Sequence, residues 1–173
     1  GAATTTASDN TAVGKSALTA NTTGTENVAV GALALDANTT ANDVTAVGYN
    51  SLSANTTGAD NSAFGAYSLD ANTTGASNTA LGTSALGANT TASNNTSVGY
   101  RSLRANTTGA LSTAIGSGAL EANTTGAENV AIGYLALTNN TTGTHNVAVG
   151  ASDGSSGATL GTNSTGSQNT ALG

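Results

Sequence analysis

The sequence repeats itself every seventeen residues, and that period admits few architectures. Asn21, Asn38, Asn55, Asn72, Asn89, Asn106, Asn123 and Asn140 are spaced by seventeen without exception. A less regular first copy begins at Thr4, so nine complete copies run through Ser156. With the Asn as position one, position eleven is Gly in every copy, from Gly14 and Gly31 to Gly133 and Gly150. Position ten is always large and apolar: Val13, Val30, Val47, Phe64, Leu81, Val98, Ile115, Ile132 and Val149. Position fifteen is Leu in the first eight copies, from Leu18 to Leu137. A unit this short cannot bury an apolar face alone and must stack on its neighbours.

Seventeen residues are too few for a helix pair or a propeller blade, but they suit one coil of a β-solenoid. The fold expected is all-β, a parallel β-solenoid or β-roll of about ten coils, forming a single domain over residues 1–173. Positions seven to ten, such as "NVAV" at Asn27 to Val30, read as a strand, and the Gly after it permits a turn. A second strand is expected at positions thirteen to fifteen, ending on the Leu. The Asn-Thr-Thr-Gly segment supplies corner chemistry. Coils stacked at ~4.8 Å make a rod of roughly 50 Å. The ninth copy carries an insertion near 152–157, after which Leu160 and Asn163 resume the phase. It is expected to bulge as a loop from one coil.

Composition narrows the class further. The chain holds 23 Gly, no Pro, Cys, Met or Trp, 3% aromatic and 7% charged residues. Large side chains are too few for a conventional globule, while Pro and charge are too scarce for a disordered chain. Without Cys there is no disulfide framework and no thiolate metal site. A formal net charge of −6 argues against nucleic acid or an anionic membrane as partner. No apolar run approaches the ~18 residues of a membrane helix. No signal-peptide pattern is visible. The lack of Met suggests a processed form or a segment of a longer protein. Both ends look uncapped, with open strand edges that invite association.

Side chains alternate across a strand, so positions nine and ten face opposite ways. Large position ten is expected to fill the coil. Position nine is Ala in every complete copy but one, Ser97. A face left to water should be polar, so this smooth column is expected to pack on another chain. Self-association follows, as a homotrimer or an end-to-end filament.

The units "TGAENVAIGYLAL" and "TGTENVAVGALAL" resemble the head repeats of trimeric autotransporter adhesins, the YadA-like family. The likeness covers about Thr4 to Gly173. It implies a left-handed parallel β-roll shared by three chains, on a cell surface. The units are also similar to Gly-, Asn- and Thr-rich repeats in phage tail fibres. Adhesin head repeats are usually shorter than seventeen residues, and the Asn-Thr-Thr corner is not part of their signature.

Chemistry-bearing residues are sparse. The single His, His145, reads as a solvated surface residue at position six. Acids gather at position six (Asp9, Glu26, Asp43, Asp60, Glu128) and position sixteen (Asp36, Asp70, Glu121). Paired carboxylates can hydrolyse glycosides, but these acids are scattered and lack the aromatic platforms of a sugar cleft, so no enzyme is expected. Arg104 and Glu121 share position sixteen in adjacent coils and should pair on the surface for ~0–1 kcal/mol. The "SDGSSG" stretch lacks the Lys and following helix of a phosphate loop, and it fails the calcium-repeat pattern. No cofactor or metal is expected.

The one site signal that repeats is the N-x-Thr acceptor. Candidate glycosylation residues are Asn21, Asn38, Asn55, Asn72, Asn89, Asn106, Asn123 and Asn140, with Asn163 in "NST". Asn38, Asn72 and Asn123 follow an acid two places earlier, the longer form that bacterial machinery favours. The function expected is a structural extracellular fibre or adhesin rod, with the cell surface, a secreted filament or a virion fibre as its place. Its repeated edges would add weak contacts through multivalency, toward a host or surface receptor among others. Two alternatives stand beside it. One is an ice-binding solenoid, although Thr22 and Thr23 are adjacent rather than alternating, so one per coil faces out. The other is a tail-fibre or tailspike segment that binds polysaccharide.

Overall fold

The computed structural model describes residues 6–152 and 158–173. Ten short strands recur along it: β1 (Thr11–Val13), β2 (Val28–Val30), β3 (Thr45–Val47), β4 (Ser62–Phe64), β5 (Thr79–Leu81), β6 (Thr96–Val98), β7 (Thr113–Ile115), β8 (Val130–Ile132), β9 (Val147–Val149) and β10 (Thr170–Leu172). They form one parallel sheet in sequence order. Each strand pairs with the next in register, so Ala29 lies beside Ala46 and Val30 beside Val47. From β9 to β10 the step lengthens: Val147 meets Thr170, one period plus the six inserted residues. The register survives the insertion. Residues 153–157, which carry most of that expected loop, lie outside the described residues. Nine steps at ~4.8 Å make a rod about 43 Å long. The chain is a β-solenoid repeat protein.

The strand occupies positions eight to ten, and its inner face corrects the reading of the sequence. The position-nine column, Ala29, Ala46, Ala63, Ala80, Ala114, Ala131 and Ala148, is fully buried. The larger residues at position ten point outward, with Phe64, Leu81, Ile115 and Ile132 all more than a third exposed. The cause is the width of the coil. Position fourteen faces position nine across the interior, as the contact between Ser97 Oγ and Ser102 Oγ shows. Both sides of so narrow a space hold Ala or Ser, except in the ninth copy, where position fourteen is the buried Thr159. The Leu column at position fifteen, Leu35 to Leu137, fills the wider part and is fully buried.

The expected second strand is also absent, for a local reason. Positions twelve to seventeen form turns. Leu33 and Leu35 adopt φ of 59° and 53°, whereas Ala34 between them does not share that sign. Alternating the sign of φ still aims successive amides along the rod axis. Leu33 N–H donates to Lys15 O of the preceding coil, while Leu35 N–H donates to Ser51 O of the following one. The wall is thus hydrogen-bonded between coils like a strand. A left-handed Leu costs about 1–2 kcal/mol, and full burial of its side chain returns about 1.5–3 kcal/mol. Burial wins.

Two Asn columns complete the interior. At position one, Asn72 Nδ2 donates to Asn55 Oδ1 (2.8 Å) and to Gly75 O within its own corner (2.9 Å). The same pair of bonds recurs at Asn89, Asn106, Asn123 and Asn140. At position seven, Asn61 Oδ1 accepts the backbone N–H of Asn78 (2.9 Å), and Asn61 Nδ2 donates to Gly75 O (2.7 Å). Among the described residues, no buried side-chain N or O lacks a partner. Unmade bonds of this kind would each cost about 1–3 kcal/mol.

Glycine at position eleven is demanded by the stack. Gly65 has φ of 135°, and a Cβ there would lie 2.7 Å from the carbonyl of Gly82 in the next coil. Neither the backbone angle nor the space admits a side chain.

Candidate interaction surfaces

The acceptor asparagines do not form a surface site. Asn21, Asn38, Asn55, Asn72, Asn89, Asn106, Asn123 and Asn140 are buried, at 0–1% exposure. Asn163 is partly buried, and its Nδ2 donates to Asn140 Oδ1 and Gly166 O. An N-linked glycan replaces a proton on this nitrogen, and the folded rod spends those protons inside. The expected glycan edge is therefore corrected: the letters of the acceptor motif encode a corner and a ladder. Of the two threonines beside each Asn, the first is tied down, as Thr39 Oγ1 donates to Thr56 O (3.0 Å). The second, Thr40, is exposed. One free Thr rank remains on this edge.

Three other features face solvent. The first is the outer face of the sheet. Position ten presents Val30, Val47, Phe64, Leu81, Val98, Ile115, Ile132 and Val149 in register. Position eight presents Val or Thr beside it in most coils, Ser62 excepted. At about 10 Å by about 43 Å this face covers roughly 400 Å², within the range of the largest apolar patch of an ordinary monomer.

The second feature is the position-six rank, where residues sit at φ near +60°, among them Asp9, Glu26, Asp43 and Asp60. Hydrogen bonding with Asp43 raises the Glu26 pKa, and repulsion from Asp43 and Asp9 adds to it. Further along, His145 Nε2 lies 3.0 Å from Glu128 Oε2 on the surface. Among the described residues, no three His or acidic side chains are gathered so as to hold a metal.

The third is the wall at positions twelve, thirteen and sixteen. Tyr49 and Tyr67 meet edge to face, with centroids 5.3 Å apart at 81°. Arg101 lies over the ring of Tyr100 at 5.2 Å. Arg104 Nε contacts Glu121 Oε1 at 3.1 Å, the pair expected from the sequence, and Arg101 approaches the same oxygen at 3.7 Å. Desolvation raises the pKa values of Asp36 and Asp70 here. The sequence reading missed this wall because it followed the letters that repeat, and these do not. The available signal was their confinement: all four Tyr and all three Lys or Arg fall at these three positions.

Comparison with known proteins adds no relative: no family model, curated protein or solved structure matches the chain.

Proposed function

We propose that the chain is a structural rod of an extracellular, adhesin-like fibre, in which copies associate side by side through the outer face of the sheet. The observation that carries this reading is the apolar position-ten rank, aligned coil upon coil and left facing solvent. A partner covering it must match a spacing of ~4.8 Å over the whole length. A second copy of the same coil does so without strain. One such face is smaller than the ~800 Å² per partner of a standard stable interface. Stable association therefore needs more than one neighbour, as in a homotrimer, or a longer run of coils, as in a filament. Length and stiffness come from the stack, and repeated edges add weak contacts.

Sedimentation equilibrium tests the reading. The chain should sediment as a multiple of its 16.3 kDa mass. A triple variant, Phe64→Ser with Ile115→Ser and Ile132→Ser, should sediment as a monomer and keep its strand circular dichroism. A wild-type chain that is monomeric at every concentration sinks the proposal.

A further inference from the structure

We infer that the wall built from positions twelve, thirteen and sixteen is a binding surface for neutral oligosaccharides, centred on the depression over Gly87. It lies across the coil from the outer face of the sheet, so it stands or falls apart from the lateral association proposed above.

The first ground is the distribution of side chains. Most positions of the coil hold one residue type with small variation. Tyr49, Tyr67, Tyr100 and Tyr134, together with Lys15, Arg101 and Arg104, are confined to this wall. The four rings are 42–53% exposed, which forgoes much of the burial an aromatic normally contributes. Tyr67 is held by its edge-to-face contact with Tyr49, so its ring is oriented before any ligand arrives.

The second ground is Gly87. The sixteenth position otherwise carries Thr19, Asp36, Ser53, Asp70, Arg104, Glu121 and Thr138, with glycine again only at Gly161, after the insertion. Gly87 has no left-handed φ, and the nearest atom to a Cβ built on it is Asp70 Oδ1 at 3.2 Å. Neither backbone nor packing requires a glycine. A depression of about 310 Å³ lies over it, lined by Tyr67, Asp70, Ser84, Gly87 and Arg104. A second depression of about 370 Å³ follows on the other side of Arg104, bordered by Glu121, Thr138 and Asn139. The two share Arg104 and run along the rod axis, as an extended chain of sugar units would.

The third ground is chemical fit. Arg101 and Arg104 are balanced locally by Asp70 and Glu121, so the wall does not select a charged ligand. The guanidinium and carboxylate groups offer paired, in-plane donors and acceptors, suited to neighbouring hydroxyls on a sugar ring. Tyr67 offers a flat apolar face to the C–H side of that ring. A mostly open site with a few converging polar groups and an aromatic wall binds such a ligand weakly at each point, and repetition along a fibre multiplies it.

Native electrophoresis of the full chain through gels holding dextran, mannan, hyaluronan or no polymer tests this. The expected result is retardation by dextran or mannan. Tyr67→Ala and Gly87→Leu should each weaken it by about tenfold or more, a loss of ~1.4 kcal/mol. Thr74→Ala, on another edge, should leave it unchanged. All three variants should keep the wild-type circular dichroism and sedimenting mass. The inference is overturned by no retardation in either neutral polymer, by retardation in hyaluronan alone, or by retardation that Tyr67→Ala and Gly87→Leu both retain.

Discussion

Removing one amide from the middle of the buried position-one column should orphan hydrogen-bonding groups in both neighbouring coils. In Asn72→Ala, Asn55 Oδ1 loses the donor that lies 2.8 Å away, and one proton of Asn89 Nδ2 loses its acceptor. Gly75 O stays satisfied by Asn61 Nδ2 at 2.7 Å. Two buried groups are thus orphaned, at about 1–3 kcal/mol each, which predicts about 2–6 kcal/mol in total. Asn21→Ala is the internal comparison. Asn38 Nδ2 loses its acceptor there, while Gly24 O keeps its bond from Asn10 Nδ2. One orphan predicts about 1–3 kcal/mol. Thr74→Ala, at an exposed corner, should stay within about 0.5 kcal/mol. Denaturant unfolding followed by circular dichroism reads all three, with transition midpoints compared directly because stacked arrays need not unfold in two states. An Asn72→Ala cost below about 1 kcal/mol, or one no larger than that of Asn21→Ala, would refute the ladder as a source of stability.

Three more outcomes are expected. Gly65→Ala should destabilise the stack by at least about 2 kcal/mol, read as a lowered unfolding midpoint, because φ is 135° and the next coil's carbonyl lies 2.7 Å from the new Cβ. Leu111→Asn should stabilise the stack by about 0.5–1 kcal/mol, read as a raised midpoint, since Leu111 is exposed at φ 60° and Asn tolerates this conformation better. Stability should rise as pH is lowered from neutrality toward the ordinary carboxylate range. Glu26, Asp36 and Asp70 have folded pKa values above their usual ones, so the folded state takes up protons first. A thermal midpoint that falls steadily between neutrality and about pH 5 would contradict those shifts.

The stack, its register and the buried Leu column are legible in the sequence because a period of seventeen leaves nothing else for each coil to bury against. The direction of the strand is not. Alternation identifies two faces, and placing the larger residue inside is the ordinary choice. Here the interior between positions nine and fourteen has room only for small side chains such as Ala29, Ser102 or Thr159. The left-handed turn at positions thirteen and fifteen hides behind Leu, which seldom adopts it. Asn50 and Gly118 at position thirteen, with Asp9, Asp43 and Asn94 at position six, were the tolerant residue types that hinted at such backbone. The acceptor motif misled for a related reason: an Asn needed for a buried ladder and an Asn offered to a glycan are spelled alike. The Tyr and Arg wall stood out only against the repeat, once its residues were seen to share one side of the coil.

The proposition beneath all of this is that chain separation converts to axial distance at one fixed rate. The chain has no Cys, so pairs introduced at exposed third-position threonines can be spin-labelled without background. Electron–electron dipolar distances for Thr23→Cys paired with Thr91→Cys, Thr125→Cys or Thr142→Cys should come out near ~19, ~29 and ~34 Å, four, six and seven steps of ~4.8 Å. Distances that fail to grow in that proportion, or broad distributions centred elsewhere, would contradict the stacked rod.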